Sequence, residues 1–216
     1  MRHESPIATL SLASPIHKDR TVAENFVRRV FAQAYDAKVN SFLQHLLILR
    51  QNNVIEGVIG FSDGQKRLWL EDYLEEHPCK ILAEKYSLRV ERSKIAEVGN
   101  LASNNCLGNG RVLVMAMTEL LCTAGFEWVV FTSTAHLRLF FRRLRVTLLK
   151  LGNADFSRLT DIKSYWGNYY EHQPEVVALN LNEMRQRFEL TATVKASRYL
   201  KPLCQIIGNS YREVQV

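Results

Sequence analysis

A predicted strand with polar ends, Arg92-Ser-Lys-Ile-Ala-Glu-Val-Gly-Asn-Leu-Ala-Ser103, leads into a glycine turn, Asn105-Cys-Leu-Gly-Asn-Gly110. A helical pattern, Arg111-Val-Leu-Val-Met-Ala-Met-Thr-Glu-Leu-Leu121, and a second apolar strand, Phe126-Glu-Trp-Val-Val-Phe-Thr132, follow directly. The backbone N–H groups at the start of a helix are unpaired, and the helix dipole is positive there, so both attract an anion. This order of elements therefore predicts a phosphate-binding turn in the middle of the chain.

The segments around this unit alternate between the periodicities of strands and helices. Further strands are predicted at Ile7–Leu12, His45–Arg50, Val54–Phe61, Val146–Leu151 and Val176–Leu181, and further helices at Val22–Ala37, Cys79–Tyr86 and Ala135–Leu144. Thr21 is predicted to cap the first of these helices. The turn Gln51-Asn-Asn53 predicts that the second and third strands form an antiparallel hairpin. Leu68–Leu74 fits either a strand end or a helix start.

The length of 216 residues and the hydrophobic content of 47% predict one well-packed domain with a C-terminal appendage. We place the domain at residues 1–182 and the appendage, which is mostly helical, at residues 183–216. The N-terminus lacks the apolar core of a signal peptide, and no stretch has the length of a membrane span. The expected location is therefore the cytoplasm.

The formal net charge of +6 suits an acidic partner such as nucleotide phosphates, a carrier protein or an anionic membrane surface. The basic residues occur in short groups without stacking aromatic residues, which argues against nucleic acid as the partner. The four cysteines form no C-x-x-C pair and have no histidine at metal-ligand spacing, so no metal site is predicted.

The glycine turn resembles the pyrophosphate loop of the GNAT acyltransferases, Gln/Arg-x-x-Gly-x-Gly/Ala, with Asn105 in place of the first residue and Arg111 as an alternative source of charge. The order of strands and helices also resembles this fold. The resemblance implies an α/β (α+β) protein with a mixed, mostly antiparallel central sheet flanked by helices. It further implies an acyl donor, either acyl-CoA or the phosphopantetheine of an acyl carrier protein (acyl-ACP). The implied donor-binding residues are Leu101, Ala102, Ser103, Asn105, Gly108, Asn109, Gly110 and Arg111.

Several separated motifs also resemble the thermostable hemolysin family, over roughly residues 20 to 185. They are Leu70-Glu-Asp-Tyr-Leu74, Glu97-Val-Gly-Asn-Leu-Ala-Ser103, Trp128-Val-Val-Phe-Thr132 and Trp166-Gly-Asn-Tyr-Tyr170 with Pro174. The family name refers to the lysis of red cells, so direct action on membranes is an alternative function. The segments best suited to it are the basic stretch Leu137–Leu149 and the tail Met184–Ile207.

That family in turn resembles the acyl-homoserine lactone synthases and related N-acyl amino acid synthases. Glu97 matches the glutamate of their fourth-strand motif, while Gly99 and Asn100 stand where serine and arginine would be. The first helix, with Tyr35 and Asp36, resembles the mobile helix that covers their amine pocket. An amino-acid-like amine is therefore the implied acceptor. The residues predicted to bind it are Tyr35, Glu71, Tyr73, Trp166 and Tyr169.

Acyl transfer to an amine requires a base for the amine proton and fixed donors for the developing oxyanion. Glu97 is the predicted base, because burial on a strand would raise its pKa toward neutrality. An ion pair of Glu97 with Arg92 or with an arginine of the tail is the structural alternative. Backbone N–H groups near Leu101 to Ser103 are the expected oxyanion donors, and Ser133, Tyr165 or Tyr169 would protonate the thiolate. The predicted catalytic set is Glu97, Asn100 and Ser133.

Overall fold

The computed structural model describes residues 8–159, 165–190 and 194–215, which form a sheet with helices on both faces. The strands are β1 (Ala8–Ala13), β2 (His45–Gln51), β3 (Val54–Asp63), β4 (Ile95–Ser103), β5 (Trp128–Ser133), β6 (Leu149–Asn153) and β7 (Glu175–Asn180). The helices are α1 (Arg20–Tyr35), α2 (Pro78–Tyr86), α3 (Arg111–Ala124), α4 (Ala135–Arg143), α5 (Leu181–Leu190) and α6 (Val194–Gln215).

The strand order is β1-β2-β3-β4-β5-β7-β6, and the β4–β5 pair alone among these is parallel. The predicted mixed, mostly antiparallel sheet is therefore confirmed. The predicted hairpin is also confirmed, since β2 and β3 pair on either side of residues 52 and 53. Strand β2 is buried along residues 46–49, as expected for a strand covered on both faces.

Helices cover the two faces differently. On one face α3, α5 and α6 pack over the middle of the sheet and bury residues such as Leu113, Leu120 and Phe188. On the other face α1 packs on β2, β3 and the end of β4, while α2 and a 3-10 turn, Trp69–Tyr73, cover the start of β4 and β5 to β7. These two units therefore cover different parts of the second face, and both contact β4.

The start of helix α1 differs from the prediction. It begins at Arg20, after Asp19, and Thr21 lies inside the first turn and does not cap it. The Arg20 side chain is buried and donates to the carbonyls of Leu43 and Gln44, at 2.9 Å each. These bonds fix the first turn of the helix to the chain entering β2, which is why the helix starts before the predicted cap.

The predicted strand at residues 146–151 starts later, at Leu149. Arg145 adopts a left-handed conformation with φ +56°, and the Val146 N–H donates back to the Phe141 carbonyl at 3.1 Å. This is the hydrogen-bond pattern that closes many helix C-termini. Residues 145 and 146 therefore complete α4 and are not available to the strand.

The C-terminal helices are anchored by a buried acid on α3. The Glu119 carboxylate accepts from the Arg185 guanidinium at 3.0 Å and from the Gln205 amide at 3.1 Å. One side chain thus connects α3 to both α5 and α6. The helical character predicted for the tail is confirmed for residues 181–190 and 194–215, while the division of the chain at residue 182 stays a prediction.

The loop before β7 is held against the end of α1. Gly167 has φ +51°, and a Cβ there would lie 1.9 Å from the Tyr35 carbonyl oxygen. Next to it, the Asn168 N–H donates to that same carbonyl at 3.0 Å. Only glycine fits this close approach of two backbones. The Trp166-Gly-Asn motif is therefore a docking point that places the aromatic residues 166–170 beside α1.

We expect Gly167→Ala to lower the free energy of unfolding by about 3 kcal/mol or more, since it adds a backbone clash to a strained φ. Gly125→Ala is the matched control, because Gly125 also has a positive φ, +94°, but has open space where its Cβ would be. That control should cost only about 1 kcal/mol. Urea unfolding of both variants measures the difference, and equal losses would show that the contact with Tyr35 is not tight.

Candidate functional site

Strands β4 and β5 separate in the middle of the sheet. Their parallel pairing covers Ile95 with Trp128, Ala96 with Val129 and Glu97 with Val130, and it stops there although both strands continue. Within the described residues, the peptide groups of β4 that face β5 beyond Glu97 have no strand partner. Residues 98–101 are partly exposed, which is unusual for a strand at the centre of a sheet. The separation therefore opens a cleft, which we call the β4–β5 cleft.

A β-bulge in β4 lies beside this cleft. Gly60 pairs with Gly99 but Val58 pairs with Ala102, so β4 carries one extra residue at this point. Asn100 has φ +51°, a conformation that asparagine tolerates better than most residues, and its Oδ1 accepts from the Leu43 N–H at 2.9 Å. The predicted catalytic residue Asn100 thus shapes the strand, and its side chain oxygen bonds the segment between α1 and β2.

Glu97 lies at the point where the cleft begins, and the residue is only 6% exposed. One carboxylate oxygen accepts from the Trp69 N–H at 2.8 Å, and the other accepts from the Leu70 N–H at 3.2 Å. The carboxylate therefore satisfies the first N–H groups of the 3-10 turn Trp69–Tyr73. The sequence left segment 68–74 open between a strand end and a helix start, and this contact helps to hold it as a helical turn.

Arg92, which was considered as an ion-pair partner of Glu97, pairs with a different acid. Arg92 donates to Glu71 at 2.6 Å, and Glu97 has only the two backbone donors described above among its hydrogen bonds within the described residues. Burial raises the pKa of Glu97 to about 8; the two backbone hydrogen bonds oppose this rise, and the charges of Glu71 and Asp72 add to it. Glu97 therefore exchanges its proton near neutral pH.

The four aromatic residues among those predicted to bind the acceptor form one cluster. Tyr35 contacts Tyr169 with ring centroids 5.2 Å apart, and Trp166 contacts Tyr169 at 5.5 Å. Tyr73 joins the cluster through Tyr170, since their two hydroxyl oxygens lie 2.6 Å apart. The structure thus brings together Tyr35, Tyr73, Trp166 and Tyr169 from three separate segments. Tyr170, which links them, was not among the predicted residues, although it stands in the same motif.

The cluster is connected electrostatically to Glu97. Burial, the hydrogen bond with Tyr170 and the nearby charge of Glu97 together raise the pKa of Tyr73 well above its usual range. Burial also raises the pKa of Tyr169. Both phenols remain protonated at any physiological pH, so they act only as neutral hydrogen-bonding groups. Glu71 takes no part in the cluster, because its carboxylate is committed to Arg92.

The glycine turn is a π-helical turn, Cys106–Gly110, that continues into α3. Gly110 has helical backbone angles, φ −61° and ψ −43°, and a Cβ there would meet no atom closer than 3.8 Å. Gly110 is itself buried, against Ser103 and Asn105. Some of the N–H groups of the turn are bonded internally. Asn105 Oδ1 accepts from the Gly108 N–H at 3.0 Å, and the Asn105 carbonyl accepts from the Gly110 N–H at 3.1 Å.

The remaining predicted residues of β4 and the turn have distinct positions. Leu101 is partly exposed at the bulge, Ala102 packs under α1, and the Ser103 hydroxyl accepts from the Asn105 N–H at 3.1 Å. Asn109 donates from its side chain to Glu56 at 3.1 Å. Arg111 is the first residue of α3, directly after the turn.

Ser133 lies apart from this group. It ends β5, is fully buried, and donates from its hydroxyl to the neighbouring Thr134 carbonyl at 3.5 Å. Side chains alternate along a strand, so Ser133 points to the same face as Phe131, which packs under α3. Val130, which is paired with Glu97, points to the other face. The structure therefore does not bring Ser133 and Glu97 together.

Two further features are absent from the described residues. No group of three or more His, Cys, Asp or Glu side chains in this part of the chain is arranged to hold a metal ion. No helix in the same residues has the length and apolar content required to cross a membrane.

Several solved structures are similar to this chain. FeeM, an N-acyl amino acid synthase from uncultured soil microbes, aligns with a TM-score of 0.56 and 16% identity over 85% of this chain and 96% of its own. BjaI, a CoA-dependent acyl-homoserine lactone synthase solved with SAM and isopentyl-CoA, aligns with a TM-score of 0.58 and 13% identity over 90% of each chain. LasI, an AHL synthase, aligns with a TM-score of 0.54 and 12% identity over 82% of this chain and 92% of its own.

These similarities confirm the predicted acyltransferase-like fold. A comparison with curated protein sequences gave no match. The family model for thermostable hemolysin matches residues 13–185, which include strands β2 to β7, the β4–β5 cleft and the aromatic cluster. The chain therefore belongs to the thermostable hemolysin family.

Proposed function

We propose that this protein is an N-acyltransferase that moves an acyl group from a thioester donor, acyl-CoA or acyl-ACP, to an amino-acid-like amine. The observation that carries the proposal is the β4–β5 cleft, which has a buried carboxyl group, Glu97, at its closed end. The glycine turn Cys106–Gly110, which resembles a phosphate-binding loop, follows at the other end of the same strand.

The distance between these two features suits a pantetheine-linked donor. Glu97 and Ser103 are six residues apart on β4, which corresponds to roughly 20 Å of extended strand. In such donors a long arm separates the phosphate from the thioester. A phosphate at the turn would allow the arm to lie along the exposed residues 98–101 and pair with their peptide groups. The thioester would then reach the region of Glu97.

The reaction follows from these positions. The amine nitrogen attacks the thioester carbonyl carbon, and the ionised Glu97 accepts a proton from that nitrogen. Peptide N–H groups of β4 just beyond Glu97, where the strand has no partner on the β5 side among the described residues, donate to the oxyanion that forms. The donors near Leu101 to Ser103 expected from the sequence lie about 13–20 Å along the strand from Glu97, too far to serve the same carbonyl. The carbon–sulfur bond then breaks and the thiolate leaves, taking a proton from solvent or from protonated Glu97. The products are the amide and the free thiol.

The aromatic cluster is the proposed acceptor site. It lies at the end of α1 and is connected to Glu97 through the 3-10 turn that carries Tyr73. Aromatic rings supply apolar area, and the phenols of Tyr73 and Tyr170 supply polar contacts for an amino-acid-like molecule. The similar protein FeeM is an N-acyl amino acid synthase, which supports an acceptor of this class. The similar protein BjaI is CoA-dependent, which supports a thioester donor.

Direct membrane lysis has less support. The basic stretch Leu137–Leu149 is not one helix, because α4 ends at Arg143 and β6 starts at Leu149. In the tail, Met184, Phe188 and Cys204 are buried in the main core. A lytic segment from this tail would have to leave that core, at a cost of about 1.5–3 kcal/mol for each large apolar side chain exposed.

We expect Glu97→Gln to lower kcat/KM for acyl transfer about a hundredfold or more, because it removes the general base. The wild-type kcat/KM should rise with pH up to about 8, where Glu97 ionises, in addition to the rise caused by deprotonation of the acceptor amine. The variant should keep only the rise that comes from the amine. Initial rates from pH 6 to 9 with an acyl thioester and a panel of amino acids measure both effects.

The control is Glu127→Gln, which removes an exposed carboxylate that pairs with Lys94. It should leave the pH profile unchanged. A kcat/KM in Glu97→Gln equal to the wild-type value across this pH range would rule out Glu97 as the base.

Ionising Glu97 in the folded chain costs stability, so wild-type stability should fall relative to Glu97→Gln as pH rises from about 5 to about 8.

Gly108→Glu should abolish the thermal stabilisation that coenzyme A gives the wild-type protein, since it adds a negative charge to the phosphate turn. Gly108→Ala is the control, because its Cβ would meet only the Asn105 side chain, at 3.1 Å. That variant should retain most of the stabilisation. An equal thermal shift for wild type and Gly108→Glu would contradict a phosphate site at this turn.

Purified protein without an acyl donor should not lyse red cells, because the apolar side chains of the tail lie in the core. Haemoglobin release measures this directly. Lysis without donor that is equal in wild type and Glu97→Gln would establish a membrane activity separate from acyl transfer.

A further inference from the structure

A carboxylate lies beside the phosphate turn. Glu56 is on β3, next to Gly57, which pairs with the last residue of β4, Ser103. One oxygen of its carboxylate accepts from the Asn109 side-chain amide at 3.1 Å and from the Asn104 side-chain amide at 3.3 Å. The Asn104 N–H also donates to the Glu56 carbonyl at 3.1 Å. Glu56 is therefore held against the turn from both its backbone and its side chain.

The turn also has a reduced capacity to bind an anion. The N–H groups of Asn105, Gly108 and Gly110 are bonded to atoms of Ser103 and Asn105 and are not directed at a ligand. The first position of the motif is Asn105, whose side chain is neutral and is used to bond Gly108. An arginine at that position would have added a cation.

Two arginines and one carboxylate are placed at or next to the turn in the described part of the chain. Arg29 donates to Asn104 at 3.2 Å, and Arg111 follows the turn directly. These two cations and the Glu56 anion sum to one positive charge. A phosphodiester carries one negative charge, as in the link between phosphopantetheine and a carrier protein. The pyrophosphate of coenzyme A carries two, and its ribose phosphate adds more.

We propose that Glu56 is a specificity-determining residue that selects against pyrophosphate-linked donors, so that the preferred donor is an acyl group on a phosphopantetheinylated carrier protein. The inference rests on the proposed function and specifies its donor. The negative charge of Glu56 repels each phosphate charge at the turn, so it penalises a pyrophosphate more than a phosphodiester.

The size of the effect follows from Coulomb's law. For a phosphate about 6–7 Å from the Glu56 carboxylate in a solvated site, repulsion by Glu56 weakens donor binding about threefold for each negative charge on the phosphate. Removal of the Glu56 charge should then strengthen a pyrophosphate donor about tenfold and a phosphodiester donor about threefold. The preference for the carrier protein should fall about threefold.

The test compares wild type, Glu56→Gln and Glu84→Gln in the full chain. Glutamine keeps an oxygen that accepts from Asn104 and Asn109 and loses only the charge. Glu84 lies exposed on α2, so its substitution removes the same charge elsewhere. Titration calorimetry with coenzyme A and with pantetheine, which has no phosphate, measures binding. Values of kcat/KM with acyl-CoA and with acyl carrier protein measure donor preference.

The expected result is that Glu56→Gln tightens coenzyme A binding about tenfold and leaves pantetheine binding unchanged. The gain should shrink in 0.5 M salt, because screening weakens charge repulsion but not packing. In kinetics, acyl-CoA should gain more than the acyl carrier protein. Melting temperatures confirm that the variant is folded.

Three outcomes would overturn the inference. They are equal behaviour of Glu56→Gln and Glu84→Gln, an equal change for coenzyme A and pantetheine, and a gain that is independent of salt. A failure of the proposed function looks different. If coenzyme A binding responds to Glu56→Gln but no donor yields acyl transfer, the charge effect of Glu56 stands and the acyltransferase proposal falls. If neither coenzyme A nor pantetheine binds, both are overturned.

Discussion

The separation of β4 from β5 after Glu97 is the constraint on which the rest of the site depends. Up to that residue the two strands form an ordinary parallel pair, and beyond it β4 keeps only its antiparallel neighbour β3. Unpaired peptide groups in the interior of a sheet are costly unless water or a ligand meets them. The partly exposed residues 98–101 show that this part of β4 is accessible. The bulge at Asn100 lies in the same stretch, where it bends the strand and bonds the segment before β2.

Glu97 combines a structural and a chemical role at the closed end of the cleft. Burial of a carboxylate is unfavourable, and the two N–H groups of the 3-10 turn offset part of that cost. The remaining cost appears as the raised pKa. The same contacts hold the turn that carries Tyr73, and so they connect the carboxyl group with the aromatic cluster. A single side chain thus helps to shape the closed end and supplies a carboxyl group whose pKa is raised to about 8.

The two ends of the cleft differ in their chemistry. The closed end combines aromatic residues with the Glu97 carboxyl group, and the charged residues Glu71, Asp72 and Arg92 lie close to it, which suits a small polar acceptor. The other end has a turn with several internally bonded N–H groups, two arginines and the Glu56 carboxylate. The turn, where the charge of the donor is discriminated, and the buried Glu97 therefore lie at opposite ends of β4. A substitution that changes donor binding at the turn need not change the pKa of Glu97.

The sequence by itself determined the strand–turn–helix–strand unit, the hairpin, the fold class and the helical nature of the described part of the tail. These depend on hydrophobic period and on turn residues, which act over a few neighbouring positions. It also identified Tyr35, Tyr73, Trp166 and Tyr169, which the structure brings into one cluster. Where a helix end or strand start was displaced, as at Arg20 and Leu149, the cause was a contact or a helix termination that periodicity does not record.

Only the tertiary structure decided which partners the functional residues have. Glu97 bonds residues 28 and 27 positions away, Tyr73 bonds Tyr170 at a separation of 97, and Asn109 bonds Glu56 at a separation of 53. The sequence offered Arg92 as a partner for Glu97, and the fold gave Arg92 to Glu71. Such pairings follow from strand register and from which face of the sheet a side chain occupies. Those properties are set by the packing of the whole chain, so no local pattern of residues contains them.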